Sequence, residues 1–211
     1  MMYLNHRLSA AMWSRVLLLW LTLAIGALVL GGVVLGLGQF VQNNIRTELA
    51  AQQISFSPAD ALSEEELAIP GMAENAGQPV TTGNQARVYS ELIALHMRNS
   101  AADAGYPGAT YATLGRVQRE LRAAVAAATE AGDEAAIAEA NEALTAVTNL
   151  RNTMLTGSNL RGNLLSAYGW DNVATGMTVA SIFILVLAVG FFVLFVYEVR
   201  RGHLPATETA A

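Results

Sequence analysis

Few side chains in this 211-residue chain are of the types that carry out chemistry. The chain has no cysteine, and its three histidines are His6, His96 and His203. Only His96 lies between the two long apolar runs of the chain, on a helical pattern that also contains Arg87 and Glu91. We expect it to be a helix-face histidine that is hydrogen-bonded to a neighbour. A metal ion shared between protomers, or a pH-sensitive contact, is the alternative.

The remaining polar groups do not form a catalytic set. No Gly-x-Ser-x-Gly sequence is present, and the absence of lysine excludes a phosphate-binding P-loop. Carboxylates cluster at Glu64 to Glu66, where we expect a helix amino terminus facing solvent, and at Glu130, Asp133 and Glu134. We expect the second cluster to be solvated and ionised. The sequence therefore predicts no catalytic, cofactor-binding or metal-ligating residues.

The charge of the middle of the chain bears on its partners. From Gln42 to Asp171 there are 8 arginines against 15 Asp and Glu residues, a net charge of 8 − 15 = −7. Nucleic-acid binding rests largely on neutralising phosphates with cationic side chains. We therefore do not expect nucleic acid to be a partner.

Two long uncharged runs flank the middle of the chain and determine where it lies. No charged residue separates Arg15 from Arg46, and 14 of the 22 residues from Val16 to Leu37 are Leu, Ile or Val. A helix of that length measures about 33 Å, enough to cross the hydrocarbon core of a bilayer. A second uncharged run covers residues 172–197. The sequence therefore predicts two membrane spans.

Short flanks rich in arginine indicate how the spans are oriented. Arg7 and Arg15 precede the first run, and Arg200 and Arg201 follow the second. Such flanks stay in the cytoplasm, so we expect both termini inside a bacterial cytoplasmic membrane. The first run is longer than a signal-peptide core and lacks a cleavage site, which predicts an uncleaved anchor. The predicted segments are a cytoplasmic tail at 1–15, a transmembrane helix at 16–41, an extracytoplasmic helical domain at 42–171, a transmembrane helix at 172–197 and a cytoplasmic tail at 198–211.

Small residues interrupt both spans at a four-residue spacing. Gly32 and Gly36 form such a pair in the first span, and Gly176 and Ala180 form one in the second. Small residues let helix backbones approach closely in lipid, where no hydrophobic force drives helices together. We expect these four to pack the spans on each other or on a partner; the spacing does not say which.

The domain between the spans is predicted to be helical. The helical pattern of the first span continues through residues 42–55. Residues 74–83, with their glycines and proline, read as an exposed loop. A helix over 84–104 follows and ends at Gly105.

The clearest pattern in this domain is a pair of apolar stripes joined at Gly132-Asp133. They predict an antiparallel helical hairpin over about 111–156. Gly157 is expected to end the second arm, and residues 158–170 are expected to form an irregular connector. The residues expected to pack the hairpin are Leu114, Val117, Leu121, Val125, Ile137, Leu144, Val147 and Met154.

A series of short motifs also runs through the middle of the chain. They are Gly77-Gln78-Pro79-Val80, Gln85-Ala86-Arg87, Ile93 to His96, Thr110-Tyr111-Ala112, Arg151-Asn152-Thr153-Met154 and Leu160-Arg161. In this order and next to a span, they resemble a family of small two-span bacterial membrane proteins. This chain departs from the family by a long hairpin at 114–150, where the family has a shorter link. His96, Tyr111 and Arg161 lie in these motifs and are the candidate functional polar residues.

Some members of that family carry the name of aromatic ring-opening dioxygenases. Such chemistry typically needs an iron held by two histidines and a carboxylate. His6 and His203 are expected on the cytoplasmic side, so one protomer cannot place two histidines on an iron outside. We therefore do not expect ring cleavage.

Together these observations predict an all-α membrane protein with two transmembrane helices flanking an extracytoplasmic helical domain that contains a long antiparallel hairpin. The leading functional hypothesis is a non-enzymatic accessory or structural subunit of a bacterial membrane assembly. Its expected partners are membrane lipid and either other membrane subunits or further copies of the chain. A sensor-like or ligand-binding module is the second hypothesis, although only ten residues follow Arg201, too few for a signalling domain. A metal-dependent enzyme with an intermolecular site at His96 is the third.

Overall fold

The computed structural model describes residues 10–202, and within this range the protein is all-α, as predicted. The tails that contain His6, Arg7 and His203 lie outside the described residues. A short 3-10 turn covers Ala59–Ala61. The helices are α1 (Ala10–Ala51), α2 (Glu64–Leu67), α3 (Met72–Asn75), α4 (Gly83–Asp103), α5 (Tyr111–Ala131) and α6 (Glu134–Gly202).

The described residues divide into two compact units. The first, called here the two-helix unit, contains residues 10–43 of α1 and 172–202 of α6. The second, the central unit, covers Asn44–Asp171. Both α1 and α6 are long and apolar enough to cross a membrane, and the central helices lie between them in the sequence.

α6 is one continuous helix over residues 134–202, which corrects the prediction of a break at Gly157 and a connector at 158–170. Glycine and asparagine disfavour a helix by only about 0.5–1 kcal/mol each, and packing outweighs that amount. Gly157 lies against α4: a Cβ added to it would be 2.6 Å from Met97 Sδ. Leu164, in the middle of the expected connector, is 3% exposed and belongs to the core.

The main core of the central unit contains residues from α1, α3, α4 and α6 and from the segments between α1 and α4. Residues 74–83 are not simply an exposed loop, because Val80 is fully buried. The backbone N–H of Val80 donates to the Ile54 carbonyl at 2.8 Å, and the N–H of Phe56 donates to the Gln78 carbonyl at 2.9 Å. These two bonds fix the segment against the chain that leaves α1. The buried members of this core are Leu49, Phe56, Met72, Val80, Ala86, Val88, Leu92 and Leu164.

A second core lies at the base of the hairpin formed by α5 and the start of α6. It contains Leu114, Val147 and Met154, each at most 1% exposed, together with Ala101 from α4. The remaining hairpin residues singled out above are half-buried: Val117, Leu121, Val125, Ile137 and Leu144.

The turn of the hairpin has the local chemistry that its sequence indicates. Gly132 ends α5 with a left-handed φ of 67°, a conformation that glycine adopts without steric cost. The Asp133 carboxylate accepts hydrogen bonds from the backbone N–H groups of Ala135 and Ala136, both at 3.1 Å. The reversal between the arms is therefore specified by two adjacent residues.

Close packing around Gly83, the first residue of α4, gives a test of this fold. A Cβ added to Gly83 would lie 2.4 Å from Asp171 Cβ. We expect Gly83→Ala to destabilise the chain by about 1–3 kcal/mol, seen as a lower thermal midpoint by circular dichroism in detergent. Gly162→Ala is the matched control, since nothing lies within 4 Å of its added Cβ, and it should stabilise α6 by up to about 1 kcal/mol. Equal midpoints for the two variants would contradict the packing described.

Candidate functional site

The two-helix unit is held together by small residues at a seven-residue spacing. On α1 these are Ala24, Gly31 and Gly38, all buried. A Cβ added to Gly31 would lie 2.8 Å from Leu185 Cγ, and one added to Gly38 would lie 3.0 Å from the Ala174 carbonyl oxygen. The facing residues on α6 are buried and also seven apart: Ala174, Ser181 and Ala188.

Gly32, Gly36, Gly176 and Ala180, predicted to pack the spans on each other or on a partner, do not lie at this contact. All four are exposed, and nothing lies within 4 Å of a Cβ added to any of the three glycines. The contact follows the heptad spacing typical of antiparallel helix pairs rather than the four-residue motif. The signal was in the sequence, as small residues seven apart in both runs.

Two side-chain contacts flank the small residues of this unit. The Gln42 amide donates to the Thr175 hydroxyl at 3.3 Å. The rings of Trp20 and Phe191 stack with their centroids 5.9 Å apart. Specific side-chain contacts therefore accompany the small-residue packing.

Tyr111 takes part in a polar cluster that joins the two arms of the hairpin. The Arg151 guanidinium lies 4.0 Å from the centroid of the Tyr111 ring, and its Nε donates to the Tyr111 carbonyl at 3.3 Å. Its Nη1 donates to Gln118 Oε1 at 3.0 Å, and the Gln118 amide donates to the Thr148 hydroxyl at 2.8 Å. Gln118 and Arg151 were not among the predicted site residues. A polar residue four positions after Leu114, on the apolar stripe of α5, was the available signal.

Arg161 joins α6 to α4. Its Nε donates to the Ser90 carbonyl oxygen at 3.0 Å, and its Nη2 lies 3.8 Å from Glu91 Oε1. Ser90 is fully buried, and its hydroxyl donates to the Arg87 carbonyl at 2.7 Å. The guanidinium therefore supplies a donor to a buried stretch of α4, which is a structural role.

His96 pairs with Glu66 and so connects α4 with α2. Its Nε2 lies 2.7 Å from Glu66 Oε1, and the histidine side chain is 57% exposed. Glu66 also closes the capping box of α2: the Ser63 backbone N–H donates to it at 2.8 Å and the Ser63 hydroxyl at 2.9 Å. These hydrogen bonds, the Ser63 backbone bond first and the His96 bond second, lower the pKa of Glu66.

The carboxylates 64–66 form the amino terminus of α2, as predicted, with Glu64 and Glu65 exposed and Glu66 half-buried. Glu65 accepts a hydrogen bond from the Asn99 amide at 3.0 Å, parallel to the contact between Glu66 and His96. Throughout the described part of the chain, no group of three or more His, Asp or Glu side chains is placed to hold a metal ion. His96 with Glu66 offers one imidazole and one carboxylate.

Two open cavities lie in the central unit. One has a volume of about 250 Å³ and lies between α1 and α6, with Asn44, Glu48, Gln52 and Asn163 as its polar lining over an apolar floor. The other is a more open groove of about 280 Å³ beside α2 and α4, where Glu65, Glu91 and Arg98 carry the charges. Each is large enough for a small molecule.

Comparison with known proteins gives no further guide. No family model, no curated protein and no solved structure matches this chain. The resemblance to the family of two-span membrane proteins therefore stays a prediction. The function has to be argued from the residues themselves.

The packing of the two-helix unit can be tested with a matched pair of glycine variants. We expect Gly38→Leu to separate the helices, because the backbone carbonyl of Ala174 leaves no room for a side chain. Gly36→Leu should leave the contact intact, since its Cβ position is open. The measurement is cross-linking of Gln42→Cys with Thr175→Cys in membranes, with a several-fold lower yield expected for Gly38→Leu alone. Equal yields would refute the assignment.

The pair of Glu66 and His96 predicts a specific dependence of stability on pH. The folded chain lowers the pKa of Glu66 below its ordinary value of 4.5. The carboxylate therefore stabilises the fold above that ordinary value, and the contribution is lost as the pH falls through the lowered pKa. Thermal midpoints measured from about pH 7 down to about pH 3 should fall less steeply for Glu66→Gln than for the parent chain. The control is Glu64→Gln, which changes an exposed carboxylate on the same helix. If the thermal midpoints of all three proteins fell equally steeply with decreasing pH, the effect would be excluded.

Proposed function

We propose that this chain is a non-enzymatic accessory or structural subunit of a bacterial membrane assembly. Its two long apolar helices cross the cytoplasmic membrane, both termini lie in the cytoplasm and the central unit lies outside. Arg15 before the first span and Arg200 and Arg201 after the second support this orientation.

The exposure of the two long helices supports their placement in lipid. In the most apolar 18-residue stretch of each, only 11% is buried. Large side chains such as Leu18, Phe183 and Val186 are each more than 60% exposed. A soluble protein rarely exposes a continuous apolar surface of this extent, whereas a lipid-facing helix does so by necessity.

One observation carries the proposal: the polar residues singled out as functional candidates all bridge helices. His96 contacts Glu66 on α2, Arg161 contacts the Ser90 carbonyl on α4, and Tyr111 contacts Arg151 on α6. Side chains used in this way hold a scaffold in shape. The chain therefore offers surfaces for partners more readily than groups for a reaction.

The outward small residues of the spans supply such a surface. Gly32 and Gly36 on α1, and Gly176 and Ala180 on α6, are exposed and leave open space beside the helices. In lipid, another helix can approach closely at such positions. The spacing of these residues predicts packing either on the other span or on a partner, and their exposure favours the partner.

The cavity between α1 and α6 favours a second candidate, a ligand-binding membrane module. It combines an apolar floor with amide side chains from Asn44, Gln52 and Asn163, the mixture that small-molecule sites use. A ligand bound there would slow hydrogen exchange of the lining segments 44–54 and 160–167. No such change with any compound would leave the accessory role as the better account.

The proposed role predicts that the chain does not occur alone. After gentle solubilisation of native membranes, we expect it in particles much larger than the 22.3 kDa chain, with companion proteins identified by mass spectrometry. Gly36→Leu should reduce the recovery of companions, because its side chain would fill the space a neighbouring helix occupies, and Gly26→Leu, which is equally open but outside the motif, serves as control. A lone monomer without companions would refute the proposal.

A further inference from the structure

The part of the hairpin from residue 119 to residue 147, called here the distal hairpin, is covered less completely than the base around Leu114 and Met154. The buried core at the base reaches Leu121 on α5 and Val147 on α6. Beyond these residues the inward side chains Val125, Ile137 and Leu144 are only half-buried. Two helices alone cannot enclose an apolar stripe, so a further helical layer would complete its burial.

The residues around this stripe have mostly small side chains. Twelve of the 27 residues from Leu121 to Val147 are alanine. Alanine loses no rotamer entropy on burial and lets another helix approach closely. The distal hairpin is therefore suited to contact with other helices at little entropic cost.

Each arm carries a pair of exposed like charges, and the two pairs are opposite in sign and equally spaced. Arg119 and Arg122 are exposed on α5, and Glu139 and Glu142 are exposed on α6, each pair three residues apart and so on one helix face. Within the described residues, none of these four side chains makes an ion pair or a hydrogen bond, whereas the neighbouring Arg116 pairs with Glu120 of its own helix at 3.1 Å.

We infer that the distal hairpin binds a second copy of this chain, with Arg119 and Arg122 of one copy opposite Glu139 and Glu142 of the other. This inference rests on the proposed accessory role. Copies in one membrane share an orientation, so α5 of one copy beside α6 of the next is again an antiparallel pair. Two arginines then meet two glutamates of matching spacing, which is why we choose a second copy over an unrelated partner.

This contact is expected to be weak. Exposed ion pairs contribute little individually, and a hairpin face is smaller than the roughly 800 Å² per partner of a stable interface. The contact therefore needs the full chain held in a bilayer at raised local concentration. Reversing the charge of one pair should weaken the association of copies about tenfold, from the loss of attraction and the new repulsion together.

The test measures energy transfer between copies of the full chain in phosphatidylcholine vesicles. Because the chain lacks cysteine, Glu130→Cys near the turn supplies a single labelling position. We expect weaker association for Arg119→Glu with Arg122→Glu, and equally for Glu139→Arg with Glu142→Arg. In an equimolar mixture of those two variants, every contact between unlike copies is again of opposite charge, so association should recover. The combined fourfold variant should associate like the parent. The control variant Arg46→Glu with Arg98→Glu changes two exposed arginines elsewhere and should have no effect.

The dependence of association on salt concentration is an independent test of the same contact. At about 1 M salt the screening length falls to about 3 Å, so the parent chain should associate less, the charge-reversed variants should associate more, and all should converge on one intermediate level. Circular dichroism of each variant checks that the helices persist; arginine and glutamate have similar helix propensity, so they should.

Three results would overturn the inference. These are association that is equal in the parent and all charge variants, a parent chain that stays monomeric in vesicles, and a fourfold variant that does not recover. None of these results bears on the accessory role itself. That role is tested by extraction from native membranes, which detects companion proteins of any kind, whereas the vesicle experiment detects only contacts between copies of this chain.

Discussion

Close approach of helices at glycine is the interaction on which this structure depends. In the two-helix unit, Gly31 and Gly38 lie directly against the facing helix. In the central unit, Gly83 meets Asp171, and Gly157 meets Met97. Long α6 takes part in all four contacts. A side chain at any of these positions would have to displace an atom of the neighbouring helix.

Polar side chains perform the complementary task in the central unit. Alanine-rich helices bury little apolar area, so hydrogen bonds between helices add specificity to a modest core. Arg151, Arg161 and His96 each extend from one helix to another and find a carbonyl, an amide or a carboxylate there. The contacts of Arg151 and Arg161 satisfy groups that would otherwise be costly to bury, and all three contacts fix the register of one helix on the next. The same use makes these residues poor candidates for catalysis.

The surfaces that remain exposed after this packing are the basis of the functional proposal. The small residues not used between the spans point outward, and the distal hairpin presents half-buried apolar side chains with opposite charges on its two arms. Both features suit contacts with other helices. They support a subunit whose role is to bring helices together.

The sequence by itself determined the features that are encoded locally. The two apolar runs required long helices, and capping residues such as Thr82 and Thr110 and the Gly132-Asp133 turn determined where α4, α5 and the hairpin begin or end. The tertiary structure alone decided which glycines interrupt a helix and which are packed inside one, since a penalty of about 1 kcal/mol is reversed by a single well-packed neighbour. It also decided that Gly31 and Gly38, rather than Gly32 and Gly36, meet the second span, because which face of a helix is covered depends on the partner helix and not on the helix's own residues.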